Sequence, residues 1–315
     1  MGYCVLGCYL VKRGMNLEKI WINPRLLRAA TSLDRSELEQ LVFPFEQEWL
    51  RAQRRSLTQR GTRRVRALGA GRKGQLGSIR HKLLFILMYF KLYPLQEVMG
   101  LLFGFHQSEV NRWIHRLTPV LEKALGRRLE LPARRPADLQ RVLAECPSLE
   151  WVLDGVERPV RRPQNPDRQK RNYSGKKQRH GVKNLVVTHA GKIQGLSRTV
   201  PGSIHDKKLA DQTRWRWPRG GPLLMDTGFT GYTPARTDVL MPRKKPKGKP
   251  LDAVWQAINR ALARLRVGVE HALAGVKRCH IVADTYRNTK AGFEDAVMLL
   301  ACGLHNFRVS CRSAA

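Results

Sequence analysis

The sequence predicts an α/β fold with a mixed sheet, preceded by an all-helical region. Apolar residues between Lys82 and Leu125 recur at helical spacing. From Leu149 the texture changes to short β-rich runs, which then alternate with helical segments. The stretch Asp252 to Arg278 carries an apolar stripe of Val254, Ile258, Leu262, Leu265, Val269, Leu273 and Val276, the mark of one long amphipathic helix. A chain of 315 residues suggests about two domains, at ~150 residues each. The predicted boundaries are an N-terminal helical and basic arm over 1–78, a helix-turn-helix over 79–126, a connector over 127–148 and the α/β domain over 149–310.

Charge narrows the function classes. Lys and Arg number 58 against 25 Asp and Glu, a net charge of +33 and a pI near 10.9. A small-molecule enzyme has no use for this excess, whereas a polyanion does, and nucleic acid ranks ahead of an anionic membrane surface. Hydrophobic residues make up 42% of the chain, enough to exclude a wholly disordered protein. No apolar run reaches the ~18–20 residues of a spanning helix. Met1 to Val11 is short and followed by Lys12-Arg13, the reverse of a secretory signal, so Met15 is a candidate initiator. A soluble cytoplasmic protein is expected, with no membrane partner. Six cysteines without a Cys-x-x-Cys pair read as free thiols, and Cys4-x-x-x-Cys8 lacks a second ligand pair for zinc.

In chain order, Leu33 to Leu50 is helical through Leu38, Leu41, Val42 and Phe45, with Pro44 breaking or kinking it. Arg51 to Lys73 holds nine basic residues and no acid, then runs into glycines. It is either a solvated linker or an arm along phosphates. Leu83, Leu84, Leu87 and Phe90 mark a helix ending before Pro94. Leu95 to Leu102 is a short second helix, Gly104-Phe105 a tight turn, and Ser108 to Leu125 a third helix that Pro119 kinks or restarts. Two helices joined by a Gly turn make a helix-turn-helix whose second member offers Gln107, Ser108, Asn111 and Arg112 to base edges and phosphates. Any helical bundle can give the same pattern. Arg127 to Pro147, punctuated by prolines, reads as a connector.

Trp151-Val152-Leu153 is a short strand ending at Asp154, and Pro222 to Met225 another ending at Asp226. Lys183 to His189 and Lys192 to Val200 form a hairpin around Ala190-Gly191. His205 to Gln212 is helical and Val239 to Met241 a further strand. Acids at strand ends are where α/β sheets keep their active sites. Arg266, Glu270 and Lys277 fall within about 40° on one face of the long helix. Three carboxylates from two strand ends and a helix suit divalent ions that stabilise the attacking and leaving oxygens of a phosphodiester. Glu270 has an ordinary alternative, an i,i+4 ion pair with Arg266. Asp206 competes as second acid, although Ser203-x-x-Asp206 has the spacing of a capping box.

Several strings together carry a resemblance. They are Asp154-Gly155-Val156-Glu157-Arg158-Pro159, Tyr173-Ser174-Gly175-Lys176-Lys177 and Gly202-Ser203-Ile204-His205-Asp206-Lys207-Lys208. Asp226-Thr227-Gly228-Phe229, Pro242 to Gly248 and the Arg266-x3-Glu270-x6-Lys277 spacing continue them in order. From about Leu76 to Arg308 the chain resembles DDE-superfamily insertion-sequence transposases, in the insertion-sequence-five group related to Harbinger transposases. The resemblance implies a ribonuclease H-like core with Asp154, Asp226 and Glu270 as catalytic, metal-binding acids, two Mg²⁺ (or Mn²⁺) ions, and excision of an element followed by joining to target DNA. The implied partners are double-stranded DNA, as terminal repeats and target, and further copies of the chain in a homodimer or higher assembly, associated with the bacterial nucleoid. The chain departs from the family at Val156, Gly181 and His106, where Thr, Thr and Ser are more usual.

Arg158 to Lys183 holds ten basic residues against one acid, Asp167, and Arg243 to Lys249 five and none. Beside the acids these stretches read as a DNA backbone track, with Arg162, Lys176, Lys177, Lys183, Lys244, Lys245 and Lys247 on it and Tyr173 able to stack on a base. Arg266 and Lys277 would position DNA or steady Glu270. Two other functions remain open: an idle or domesticated DNA-binding protein, and a metal-dependent nuclease without strand transfer.

Overall fold

The computed structural model describes residues 15–58, 76–146, 151–235, 237–248 and 250–313. The arm from residue 59 to 75, the stretch 1–14 with Cys4 and Cys8, and the positions Arg236 and Lys249 lie outside them. The chain divides into two compact units. One comprises the residues up to Glu130 with Cys279–Ile281, the other Leu131–Arg278 and Val282 onward.

The first unit is helical: α1 (Leu17–Ile22), α2 (Pro24–Thr31), α3 (Arg35–Thr58), α4 (Ile79–Leu92), α5 (Gln96–Phe103) and α6 (Gln107–Arg127). Caps set the starts. Asn23 accepts from the Arg25 and Leu26 amides ahead of Pro24, and Ser78 accepts from the His81 amide at 3.0 Å. Every residue of α4 from Lys82 to Phe90 is buried, so this helix is the axis around which the unit packs. Lys82 survives burial by donating to the Leu76 and Gly77 carbonyls, and desolvation lowers its pKa.

Pro44 and Pro119 each lie inside a continuous helix, so of the break, restart or kink expected there, neither the break nor the restart occurs. A proline inside a helix costs ~3 kcal/mol, and α3 and α6 pack on each other closely enough to carry it. Trp49 stacks on Trp113 at 5.9 Å, Arg116 lies 4.6 Å over Trp49, and Arg127 pairs with Glu48. The expected turn between α5 and α6 is present. Gly104 takes φ 69°, and a Cβ at Gly100 would stand 2.5 Å from the Phe105 carbonyl oxygen, so only glycine allows this approach.

The second unit is a mixed sheet with helices on both faces. Its strands are β1 (Trp151–Pro159), β2 (Tyr173–Ser174), β3 (Arg179–His189), β4 (Lys192–Leu196), β5 (Val200–Pro201), β6 (Pro222–Met225) and β7 (Asp238–Leu240). The order is β2-β3-β1-β6-β7, with β4 and β5 also on β3. β1 is antiparallel to β3 and parallel to β6, and β6 is parallel to β7. A helical helix-turn-helix region followed by this sheet is the architecture that the resemblance implied. The hairpin turns at Ala190 (φ 48°) and Gly191 (φ 73°).

Strand alternation sorts the faces. Trp151 and Leu153 of β1, Leu185 and Val187 of β3, and Leu223 and Met225 of β6 point into one core with Leu139, Leu143, Leu209 and Phe229. Leu139 and Leu143 belong to α7 (Pro136–Ala144), which lies in the stretch read as a connector. That stretch is therefore part of the sheet's core, because Gly195 of β4 lets Leu139 come within 2.8 Å of where a Cβ would stand.

Among the described residues the unit also holds α8 (Pro166–Asn172), α9 (Asp206–Thr213), α10 (Ala253–Val276) and α11 (Phe293–Ser313). The sequence reading had no helix at α8 or α11. On α11, Asn306 clamps edge strand β4, accepting from Ile193 N–H and donating to its carbonyl, both at 2.8 Å. Arg158 of β1 is buried and donates to the Glu294 carbonyl (3.1 Å), Asn184 (3.0 Å) and Thr199 (3.2 Å). Burial lowers its pKa to about 10, so it stays charged at neutral pH. Thr199 donates in turn to Asp295, which pairs with Arg134. Burial works to raise the Asp295 carboxyl, but Arg134 and the Thr199 hydrogen bonds outweigh it and hold it below the usual range.

Candidate active site and nucleic-acid interface

Asp154 is not at the end of β1, as expected, but in its interior. Its position is set by pairing: the parallel overlap of β1 with β6 ends at Leu153 opposite Met225. Asp154 and Asp226 are therefore the next residues on adjacent parallel strands. Asp226 caps a short 3₁₀ turn, Thr227–Phe229, by accepting from the Thr227 amide at 2.8 Å. Asp154 accepts from the Gly155 amide at 2.8 Å. Burial pushes the Asp154 carboxyl up, and the charges of Asp226 and Asp206 add to the rise against the pull of Arg266.

Asp206 is not engaged in the expected capping box. The cap of α9 is His205, without a side-chain hydrogen bond, and Asp206 occupies the first turn. Its carboxylate faces the acids instead. A Cβ on Gly155 would lie 2.8 Å from Asp206 Oδ1, and one on Gly228 would lie 3.1 Å from Oδ2. Lys183 Nζ sits 3.0 Å from Asp206 Oδ1 and donates to the Ile204 carbonyl at 2.8 Å. Lys183 is thus buried within the unit and not on a surface track. The sequence signal for this third carboxylate was the glycine that follows each strand acid by one or two positions.

Arg266 of α10 reaches Asp226, Nη1 to Oδ1 at 3.2 Å, and not Glu270. Glu270 is exposed one helical turn further on. Among the described residues, no three acids, histidines or cysteines are gathered closely enough to enclose a metal ion. The donor set itself is suitable: Asp154 and Asp226 offer only carboxylate oxygens, the ligands of hard divalent cations. Asp206 Oδ1 is buried and receives no well-directed hydrogen bond, as befits an atom with ligating capacity to spare. The residues present fit such ions, with Glu270 the member standing apart.

The interface residues divide. Ser108 and Arg112 of α6 are exposed, whereas Gln107 and Asn111 both donate to Gln96 of α5, at 2.7 and 3.2 Å. His106 itself caps α6, its Nδ1 accepting from the Ser108 amide at 3.4 Å while Glu109 accepts from the His106 amide at 3.3 Å. The departure from serine there costs no cap. Gly181 is explained too: a Cβ would press on Glu157 Oε1 at 3.0 Å. Lys176, Lys177, Lys244, Lys245, Lys247 and Lys277 are exposed, as is Arg162, which is held by Gln169. Tyr173 is half exposed and set edge-on to His180 at 5.6 Å. The upper half of the α10 stripe is not core: Val254, Ile258 and Leu265 are exposed, while Leu262, Val269, Leu273 and Val276 are buried. No helix of the described residues is long and apolar enough to cross a membrane.

Residues 153–306 match the family model described as DDE superfamily endonuclease, and residues 74–127 match the helix-turn-helix of DDE superfamily endonuclease. The chain is 30% identical over 250 residues to a probable transposase for insertion sequence element IS702 from Microchaete diplosiphon, covering 77% of this chain and 85% of that protein. No solved structure matches the chain.

Proposed function

Because the chain belongs to the DDE transposase family, we propose that it cuts DNA at the ends of an insertion sequence and joins those ends to target DNA. The observation that supports this best is the pair Asp154 and Asp226, side by side at the end of the parallel strand overlap, with Arg266 on Asp226. In this reading Asp154, Asp226 and Glu270 hold two Mg²⁺ or Mn²⁺ ions. Such ions, when bound, supply charge stabilisation at the attacking and leaving oxygens of a phosphodiester.

The chain's own residues do the rest. Arg266 orients Asp226 and keeps its oxygens toward the site. Lys183 balances Asp206. Ser108 and Arg112 meet the DNA from α6, with Gln107 and Asn111 reaching it once released from Gln96. Lys176, Lys177, Lys244, Lys245, Lys247, Arg162 and Lys277 track the backbone, and Tyr173 stacks on a frayed base. Two copies of the chain bring two element ends together.

The test is cleavage of the element's own terminal DNA with Mg²⁺. Asp226→Asn should abolish cutting and keep DNA binding, while Asp206→Asn should only weaken cutting. A wild type that binds DNA and never cuts would give the idle DNA-binding reading precedence. Cutting without joining, in a target plasmid, would leave a plain nuclease.

A further inference from the structure

Where α10 ends against α11, the second unit contains a cavity of about 340 Å³ that the acid cluster does not use. Its floor is built from Gly275, His305 and Arg308. A Cβ on Gly275 would stand 2.2 Å from His305 Nδ1, so glycine is what lets the ring in. The His305 Nε2 lies 2.8 Å from the Gly191 carbonyl, which can only accept, so Nε2 carries the hydrogen. Arg308 is buried and donates to the Gly275 carbonyl, one of the carbonyls that the end of a helix leaves unpaired. His271, Arg278 and Arg312, all exposed, form the rim.

Among the described residues, no carboxylate lines this cavity. α10 and α11 both end here, and two helix C-termini present about −0.5 charge each. Three guanidinium groups, those of Arg278, Arg308 and Arg312, line the same space. His305 lies in their field: burial first, and then the charges of Arg308, Arg278 and Arg312, outweigh the Gly191 hydrogen bond and bring its pKa down to about 4.

We propose that this cavity binds a phosphate group of the DNA backbone, as an anchoring point separate from the acids. The inference rests on the DNA-processing reading above. Gly275 lies nine residues beyond Arg266 on α10, ~14 Å along the helix, so the anchored phosphate belongs to a nucleotide several positions from the one that is cut. Arg278 and Arg312 grip it as guanidinium groups grip phosphate, in a planar fork. Guanidinium groups committed to phosphate oxygens make the contact indifferent to sequence.

The experiment uses the full chain with duplex DNA over a range of salt, comparing wild type with Arg278→Gln, Arg312→Gln and, as a control away from the cavity, Arg219→Gln. Each cavity variant should make the slope of log affinity against log salt shallower by ~0.9, equally on element-end and unrelated DNA, with the thermal midpoint unchanged. Arg278→Lys should restore most of the slope, and Arg219→Gln should not alter it. Slopes unchanged in both cavity variants overturn the proposal, as does a cavity that takes up inorganic phosphate in calorimetry while the DNA slopes stay unchanged. A wild type that binds no duplex at all overturns the DNA-processing reading, and the anchoring point with it.

Discussion

Gly155 and Gly228 each leave room for the Asp206 carboxylate, and Lys183 stands on its other side. The pair is mostly buried, so removing one partner strands the other. Lys183→Met should cost about 1–3 kcal/mol, allowing for residual solvent, and Lys183→Met with Asp206→Asn should recover part of it. Urea denaturation of the four proteins in that cycle measures the coupling. His305 gives a pH signature. Its pKa is depressed to about 4 from 6.5, so the unfolded chain binds the proton more tightly. Its contribution is therefore complete above pH 6.5 and is lost as pH falls toward 4, up to ~3 kcal/mol in total. His305→Asn should flatten stability against pH across that window, read by thermal midpoints. A midpoint that falls equally in both proteins would count against it. Lys183 and Asp206 also show what the sequence could not convey: a lysine in a basic run and an acid at capping spacing look like surface and cap until β3 and α9 bring them together.

At the scale of elements, what carried a clean period was legible. α4, α5, α6, the hairpin and the extent of α10 follow their apolar spacing and caps. α11 was not legible, because its inward face includes His305, Asn306 and Arg308, polar residues that blur the stripe. The α10 stripe failed in the other direction, since a helix keeps its period beyond the region its neighbours cover. Pro44 and Pro119 do not end their helices, because packing between two helices outweighs a local penalty. Two substitutions test how tightly α11 is fastened. Gly275→Ala must push α10 and α11 apart and should cost about 1–3 kcal/mol. Asn306→Ala strands a buried N–H and carbonyl of Ile193 and should cost about 2–4 kcal/mol. Chemical denaturation reads both, and a loss below half a kcal/mol in either would mean the contact yields.

For the whole molecule, the surplus of 33 positive charges makes affinity for DNA a matter of counterion release. If about eight phosphates are neutralised, log affinity should fall with log salt at a slope near −7. A slope near zero in a binding titration would show that the charge serves something other than DNA. The family was legible at this scale because its motifs are spread along the chain in order, each weak alone. The convergence of Asp154, Asp226 and Asp206 was only half legible. Strand-end reasoning found two of the acids, while the pairing of β1 with β6 decides where Asp154 actually falls.

The hydrogen bond from Arg158 to the Glu294 carbonyl spans 136 positions. At the pace of synthesis, ~5–20 residues per second, on the order of ten seconds separate the two partners' emergence from the ribosome. Throughout that interval the Arg158 guanidinium has Asn184 and Thr199 but lacks its carbonyl partner on α11, so the sheet waits half-closed. A message that stops short of residue 293 yields a chain that never completes this step. Such a product carries an exposed sheet and a guanidinium short of one partner, and proteolysis should clear it before it meets DNA.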